Sequence, residues 1–372
     1  MQKIQPWLKR QQFDCLTGIR GFAALWIILS HQFNRLEAMY PDQGALLKLI
    51  NVGWLGVDIF SLLSGFIISY AYCQQLSKPT VPVIGRFLWL RFARTWPLHL
   101  FVLVLFMASL VNLKDFSVIE NLWRDPQFLS QLFLVQGWGF NSYKSWNVPS
   151  WTLSAEWFWY LLFPLFSITI VQVHRAATAL FMAFACISIT GFLLIQVLDT
   201  SFATTHKWGV VRIGGEMFAG CFLYRAYQLG LPERFPYAWV GVAVIVLVLL
   251  NPDLPIDIGI TLIIMAFLLL VLGLAMNQQP FRILFGNRAS IYLGDLSYSL
   301  YMNHWLFVGS EGLFGYIQFT TIYTVIAVNA AIIGMSVLTY HFVERPSRAW
   351  LRGFVKPTNS SSTQPTGKSA DK

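Results

Sequence analysis

Residues 16–31 read LTGIRGFAALWIILSH, an apolar run that contains one arginine and ends on one histidine. Eleven steps of about 100° return a helix to nearly the same face, so Arg20 and His31 share one stripe, about 16 Å apart along the axis. An ionisable side chain inside a spanning helix is costly and usually marks a functional site. The alternative is that Arg20 extends to the lipid headgroups and His31 lies near a helix end. This stretch predicts a first helix over 16–34 with two polar side chains on one face.

The composition is that of a membrane protein, because 56% of the 372 residues are hydrophobic and only 12% are charged. The net charge of +9 does not indicate a nucleic-acid partner, since the basic residues flank apolar segments, where they set the orientation in a membrane. The four cysteines lie in or beside these segments and predict no disulfide framework. We predict a multi-pass protein of the cell (inner, cytoplasmic) membrane.

Apolar runs long enough to cross about 30 Å of hydrocarbon occur ten times. They cover 16–34, 52–73, 95–111, 151–173, 176–197, 208–228, 237–251, 256–276, 290–310 and 318–342. The run 237–251 is short, and only a proline-rich turn separates it from the next run, so nine spans are the alternative. The fold prediction is an all-α polytopic membrane protein with about ten transmembrane helices.

The distribution of basic residues favours ten spans with both termini cytoplasmic. Under that arrangement, nineteen of the 26 Lys and Arg residues fall on the inside and seven on the outside, as the positive-inside rule requires. The predicted organisation is a cytoplasmic N-terminus (1–15), one transmembrane domain (16–348) and a largely disordered cytoplasmic tail (349–372).

The largest predicted outer loop, about 112–150, is rich in tryptophan. Trp123, Trp138 and Trp146 have flat aromatic faces that could hold a sugar ring. Tryptophan is also the common residue of membrane interfaces, and this second interpretation is the more frequent one.

Polar residues inside the predicted spans separate into two groups by depth. On the outer side lie His31, Asp58, Glu156 and His304, and near the inner face lie Arg20, Arg91, Arg94, Asp295 and Glu344. An inner basic group and an outer carboxylate–histidine group suggest a path for an anionic donor that enters from the cytoplasm. The alternative is that these residues pair between helices and hold the bundle together, as we expect for Asp295 with Arg288 and for Glu344 with Arg348.

Six motifs together carry a family resemblance. After the Arg20–His31 helix come GWLGVDIF (53–60) with LSGF (63–66), RFARTWP (91–97), SWTLSAEW (150–157), LGDLSYSLYMNH (293–304) and VERPSR (343–348). In this order, from about Leu16 to Arg348, they resemble the membrane acyltransferase-3 family. The first family motif often has an aspartate where this chain has Thr17, so no carboxylate role carries over to that position.

The resemblance implies a membrane O-acyltransferase. Members of this family move an acyl group, most often acetyl from acetyl-CoA, to hydroxyls of extracytoplasmic polysaccharides, glycolipids or small molecules. The predicted partners are therefore acyl-CoA as a co-substrate, a carbohydrate or glycolipid acceptor and the lipid bilayer. No nucleic acid, no permanently bound cofactor and no metal site are predicted.

We assign candidate roles to these residues from their chemistry. Arg20, Arg91 and Arg94 are predicted to bind the donor's phosphates, because guanidinium groups form charge-assisted contacts with phosphate. His31, whose ordinary pKa is about 6.5, is predicted to be the general base on the acceptor hydroxyl. Either Asp58 or Glu156 would orient its imidazole ring.

Further candidates line the same predicted pathway. Ser64, Ser297, Tyr301 and His304 are polar residues within predicted spans, as is Ser154. A covalent acyl-enzyme through Ser64, Ser154 or His31 is possible, and nothing in the sequence selects one of them.

Two other functional classes compete with the enzyme. A transporter of an anionic solute or sugar precursor would use the same polar groups without chemistry, but the chain has no internal repeat of the kind that many transporters show. A membrane scaffold would leave the charges within the spans unexplained. The sequence therefore favours an acyltransferase.

Overall fold

The computed structural model describes residues 13–112, 124–140, 146–205, 207–251, 253–309 and 321–355, and every regular element among them is helical. The helices are α1 (Asp14–Ser30), α2 (Phe33–Met39), α3 (Gly44–Asn51), α4 (Gly56–Leu76), α5 (Val81–Asn112), α6 (Pro126–Leu132), α7 (Trp151–Val171), α8 (Ala176–Phe192), α9 (Gly209–Leu229), α10 (Tyr237–Leu250), α11 (Ile256–Ala275), α12 (Phe281–Phe285), α13 (Arg288–Asn303), α14 (Trp305–Val308), α15 (Ile322–Thr339) and α16 (Arg345–Arg352). Short 3₁₀ turns precede α4 and α7, and π-helical turns follow α8 and α15. The all-α prediction is confirmed for the described residues.

Six helical segments of the described chain are long and apolar enough to cross a membrane. They are Leu46–Leu76, Val81–Ala108, Val148–Val171, Ala176–Val197, Ile256–Ala275 and Ile322–Arg352. The chain is thus a multi-pass membrane protein.

The other predicted spans also form helices, but each differs from a simple apolar crossing. Helices α1 and α13 have 17 and 16 residues, and α10 is a shorter apolar helix of 14 residues. Helix α9 carries three charged side chains, Arg212, Glu216 and Arg225. Ten crossings and cytoplasmic termini therefore stay predictions, and the termini themselves (1–12 and 356–372) lie outside the described residues.

Glycines bring two pairs of helices to backbone contact. A Cβ atom on Gly294 of α13 would overlap the carbonyl oxygen of Thr17 in α1. Between α4 and α9, a Cβ on Gly65 would overlap the Met217 carbonyl, and one on Gly220 would overlap the Leu62 carbonyl. Such close approach is typical of membrane helices, whose association depends on packing rather than on exclusion of water. These contacts fix α1 and α4, the two helices that carry Arg20 and Asp58.

Two boundaries differ from the sequence prediction. Helix α5 begins at Val81 rather than near 95, so Arg91 and Arg94 lie within the helix and not at its entry. Helical structure at the other end of the chain continues to Arg352, past the predicted boundary at 348. The two corrections are linked, because α16 packs against α5 and the indole nitrogen of Trp89 donates to the Leu351 carbonyl at 2.8 Å.

The described part of the large loop packs into the helix bundle. Trp146 is buried against Phe128, with ring centroids 5.4 Å apart, and the indole nitrogen of Trp138 donates to the Ser154 carbonyl at 2.9 Å. Asn147 donates to the Met302 carbonyl at 3.2 Å. These two tryptophans thus serve packing in this structure, whereas Trp123 lies outside the described residues.

Candidate active site

A cavity of about 360 Å³ lies among α1, α4, α5, α7, α13 and α16. Its walls combine apolar side chains with a concentrated set of polar ones. The polar residues that line it are Arg20, Ser61, Ser64, Tyr72, Arg91, Arg94, Thr95, Thr152, Glu156, Tyr160, Ser297, Tyr298, Tyr301 and Arg352. The cavity therefore contains all three predicted donor-binding arginines and one of the two predicted carboxylates.

Three arginines from two helices face this cavity and form no ion pair among the described residues. Arg91 donates to the Tyr72 hydroxyl at 3.1 Å, and its guanidinium carbon lies 5.1 Å from the centroid of that ring. The guanidinium carbon of Arg20 lies 5.9 Å from the centroid of the Phe60 ring. Among the described residues, the ion pairs are Arg212 with Asp58, Arg212 with Glu216, and Arg348 with Glu344. The cavity arginines take part in none of these, so their charge is available to an anion.

Glu156 lies in the same cavity at the end of a short hydrogen-bonded chain. The Tyr160 hydroxyl donates to Glu156 Oε2 at 2.6 Å and lies 3.1 Å from Ser64 Oγ. Arg94 and Arg20 are close enough to interact with the Glu156 carboxylate. Glu156 therefore belongs with the arginines in this structure, and the sequence had grouped it by depth with His31.

His31 occupies a different place, at the C-terminal end of α1. The helix ends at Ser30, and His31 is an exposed C-cap residue that does not line the cavity. Its Nδ1 lies 2.9 Å from the Ile27 carbonyl, which accepts only, so the neutral ring carries its proton on Nδ1 and its lone pair on Nε2. This is the tautomer that a general base acting through Nε2 requires.

His304 and Trp305 pack around the His31 ring. The centroid of each ring lies 5.1 Å from that of His31. His304 is fully buried, with Nδ1 2.7 Å from the Tyr301 carbonyl, and its Nε2 has no hydrogen-bond partner among the described residues. The structure thus brings His31 and His304 together, as their common depth predicted. It connects them to the cavity through Tyr301, whose ring centroid lies 5.7 Å from that of His304.

Asp58 is separated from both groups by an ion cluster of its own. Arg212 donates to Asp58 through Nε at 3.2 Å and Nη2 at 2.8 Å, and its Nε also contacts Glu216 Oε1 at 3.2 Å. All three side chains are buried, and the rings of Trp54 and Trp151 lie 5.1 and 5.6 Å from the guanidinium carbon. Both oxygens of Asp58 are thus bound to Arg212, and Asp58 does not line the cavity.

Some of the remaining candidate residues line the cavity, and one does not. Ser64, Ser297 and Tyr301 line the cavity, and Tyr301 donates to the Pro149 carbonyl at 2.8 Å. Ser154 does not line it, because it is fully buried and its Oγ accepts the Gly137 N–H at 2.9 Å. The structure therefore groups six of the named candidate residues in one cavity with Glu156, and their catalytic roles stay predictions.

Two pairs at the inner face were predicted to be structural. Glu344 contacts Arg348 at 3.8 Å and accepts from the Ser299 hydroxyl at 2.8 Å, which confirms that pair. Asp295 and Arg288 form no ion pair among the described residues.

Three residues of these clusters, Tyr160, Arg212 and Arg352, had no role predicted from the sequence. Tyr160 follows Glu156 by four residues, and Arg212 precedes Glu216 by the same spacing, so both local contacts carried a helical signal. The pairing of Arg212 with Asp58 joins α9 to α4 and had no local signal. Arg352 reaches the cavity only because α16 folds back on α5, which no spacing in the sequence indicates.

Comparison with known proteins agrees with this architecture. The acyltransferase-3 model, described as an acyltransferase domain, matches residues 13–341. Acyltransferase MdmB of Streptomyces mycarofaciens is 34% identical over 166 residues, which cover 40% of this chain and 38% of that protein. Putative O-acetyltransferase SACOL0978 of Staphylococcus aureus (strain COL) is 23% identical over 371 residues, which cover 91% of this chain and 58% of that protein. Protein 2 in picA locus of Rhizobium radiobacter is 37% identical over 103 residues, 28% of this chain and 48% of that protein.

The matched regions span between 38% and 58% of the length of these relatives. No solved structure matches the chain. The family model, by contrast, covers most of the chain and contains five of the six motifs that the sequence analysis singled out. The chain therefore belongs to the acyltransferase-3 family of membrane proteins.

Proposed function

We propose that this protein transfers an acetyl group from cytoplasmic acetyl-CoA to a hydroxyl of an extracytoplasmic carbohydrate or glycolipid. The observation that carries the proposal is the cavity in which Arg20, Arg91 and Arg94 outnumber the one lining carboxylate, Glu156, and form no ion pair among the described residues. Family membership and the names of the relatives support acyl transfer. The arginine charges support an anionic acyl donor, whereas the acetyl group and the carbohydrate or glycolipid acceptor are taken from what the family resemblance implies.

The phosphates of the donor fit the arginine-lined part of the cavity. Guanidinium groups bind phosphate through paired, charge-assisted hydrogen bonds, and partial burial strengthens these contacts. From Tyr72 to Val57 the cavity follows α4 over fifteen residues, which is about 22 Å of helix. A long, narrow cavity of this kind suits an extended thioester arm whose phosphates stay at the arginine end and whose acyl group reaches Thr152 and Tyr301.

The acyl group would then meet the acceptor close to the histidines. His31 Nε2 takes the proton of the acceptor hydroxyl while that oxygen attacks the thioester carbonyl, so a C–O bond forms and the C–S bond breaks. The imidazolium returns its proton to the departing CoA thiolate, and the base is regenerated. Exposure of His31 at the end of α1 leaves room for a large acceptor. Glu156 acts on the donor side, where it positions Tyr160 and balances part of the arginine charge.

Purified protein tests the proposal directly. Protein in lipid nanodiscs is incubated with acetyl-CoA labelled in the acetyl group and with a carbohydrate fraction from the cell envelope. We expect label to appear in the carbohydrate as an ester that mild alkali releases, and boiled protein to give none. Movement of an anionic solute across proteoliposomes without any acetyl transfer would favour the transporter instead.

Arg94→Ala, and more strongly Arg91→Ala combined with Arg94→Ala, should weaken donor binding before it affects the chemical step. Loss of one charge-assisted phosphate contact corresponds to about a ten-fold higher KM for acetyl-CoA. Steady-state kinetics with each substrate varied in turn measure the effect. Arg86→Ala is the matched control, because Arg86 is on the same helix but does not line the cavity. If only the acceptor's KM rose, these arginines would belong to the acceptor site.

The proposed cytoplasmic entry of the donor requires the predicted topology, which fixes the side of the membrane on which each connection between helices lies. In a cysteine-free background, a cysteine at Asp42 should react with a membrane-impermeant thiol reagent added to intact cells, and a cysteine at Thr80 should react only after the cells are opened. Both side chains are exposed and belong to consecutive connections on opposite sides of the predicted topology. Gel-shift labelling with a maleimide-linked polymer gives the readout. The reverse pattern would place the arginine end of the cavity outside and rule out a cytoplasmic donor.

A further inference from the structure

The last described helix contributes one more arginine to the cavity. Helix α16 lies outside the region that the family model matches, which ends at residue 341. Its final residue, Arg352, lines the cavity together with Tyr72, Arg91 and Arg94. A residue beyond the matched region thus lines the candidate site of this chain.

Packing against α5 holds α16 in this position. The Trp89 indole donates to the Leu351 carbonyl at 2.8 Å, next to Arg352 in the chain. The centroid of the Phe354 ring lies 6.3 Å from that of Trp89 and 4.9 Å from that of Trp350. The backbone on both sides of Arg352 is therefore attached to the helix that carries Arg91 and Arg94.

The positive charges around Arg352 favour binding of an anion. Arg352 lies close enough to Arg348, Arg94 and Arg91 for their positive charges to interact with its own, and Tyr72 is also within this range. Arg348, one turn earlier, is paired with Glu344, but Arg352 takes part in no ion pair among the described residues. Like charges brought this close are unfavourable unless a bound anion compensates them. Four cavity arginines face a single carboxylate, Glu156.

We propose that Arg352 binds the 3′-phosphate of the donor's nucleotide, an inference that rests on the proposed function. Arg352 is exposed, whereas Arg91 is only 9% exposed and lies farther inside. A donor that enters with its thioester first leaves the adenosine 3′-phosphate at the outermost position. Arg91 and Arg94 are then placed for the diphosphate, and Arg352 is placed for the remaining phosphate group.

Binding of CoA and of dephospho-CoA, which lacks only the 3′-phosphate, tests this assignment without any need for turnover. Isothermal titration in nanodiscs should show that the wild type binds CoA about ten-fold more tightly than dephospho-CoA, as loss of one charge-assisted contact predicts. Arg352→Ala should weaken CoA binding by about the same factor and leave dephospho-CoA binding unchanged. Arg345→Ala, an exposed arginine of the same helix outside the cavity, should bind both ligands like the wild type.

Each of the other possible binding results contradicts either the assignment of Arg352 or the proposed function. Equal weakening of both ligands by Arg352→Ala would show that the residue acts elsewhere or supports the fold, and no weakening would show that it does not touch the donor. Either result leaves the proposed function intact. A wild-type protein that binds neither ligand would instead refute the proposed function and this inference with it.

Discussion

Replacement of His31 by alanine is expected to lower the rate of acyl transfer by about 10²–10⁴, the usual effect of removing a positioned general base. Because Nδ1 contacts the Ile27 carbonyl, the basic nitrogen of the neutral His31 ring is Nε2, and alanine has no group that could replace it. Because His31 does not line the cavity, affinity for CoA should stay unchanged. The expected result is therefore a lower kcat with an unaltered Kd for CoA.

Two measurements distinguish a loss of catalysis from a loss of folding or of donor binding. Titration with CoA and size-exclusion chromatography show whether the variant is folded and binds its donor. His174→Ala provides the control, since His174 is exposed on a connection between α7 and α8 and should keep the wild-type rate. A His31→Ala variant with normal turnover would refute the base role. Loss of CoA affinity would assign His31 to the structure of the cavity.

Arg212→Ala should be the most destabilising single substitution among the residues of the ion clusters. It leaves Asp58 and Glu216 buried next to each other without a cation, and breaking a buried pair in this way costs about 3–5 kcal/mol. We expect little monodisperse protein after extraction in mild detergent and a clearly lower Tm. Fluorescence-detected gel filtration and thermal unfolding measure both.

Combined substitution separates folding from catalysis at this cluster. The triple variant Asp58→Asn, Glu216→Gln, Arg212→Met removes all three charges, and replacement of a buried ion pair by uncharged groups is often tolerated. Acyl transfer by a stable triple variant would show that Asp58 serves structure alone and does not orient His31. Full stability of the single Arg212→Ala variant would contradict the buried cluster itself.

The sequence predicts the depth of a polar residue along its helix better than it predicts which side chains that residue contacts. Depth along each helix follows from counting residues. Arg20, Arg91 and Arg94, which were predicted at one depth, line one cavity, and His31 and His304, which were predicted at another, pack against each other. Which way a side chain points around its helix axis depends on the packing of helices that are distant in sequence.

Asp58 and Glu156 show this difference most clearly. Spacing placed both carboxylates at one depth beside His31, and both were candidates to orient it. In the structure, α4 directs Asp58 toward Arg212 of α9, whereas α7 directs Glu156 toward Tyr160 and the cavity. Arg352 was predicted to lie in a largely disordered tail after the end of the transmembrane domain at 348, but it ends a helix and lines a site that belongs to five other helices.

The position of the Tyr301 side chain bears on how the membrane keeps its ion gradient. It is almost completely buried, donates to the Pro149 carbonyl and accepts from the Thr152 hydroxyl at 3.1 Å. Its ring lies between the cavity and the two histidines, His31 and His304, at the C-terminal end of α1. A membrane that stores an ion gradient cannot tolerate a continuous column of water through a protein. Under the proposed function, this hydrogen-bonded phenol would have to let the acyl group meet its acceptor without opening such a column, so that the ion gradient is kept during transfer.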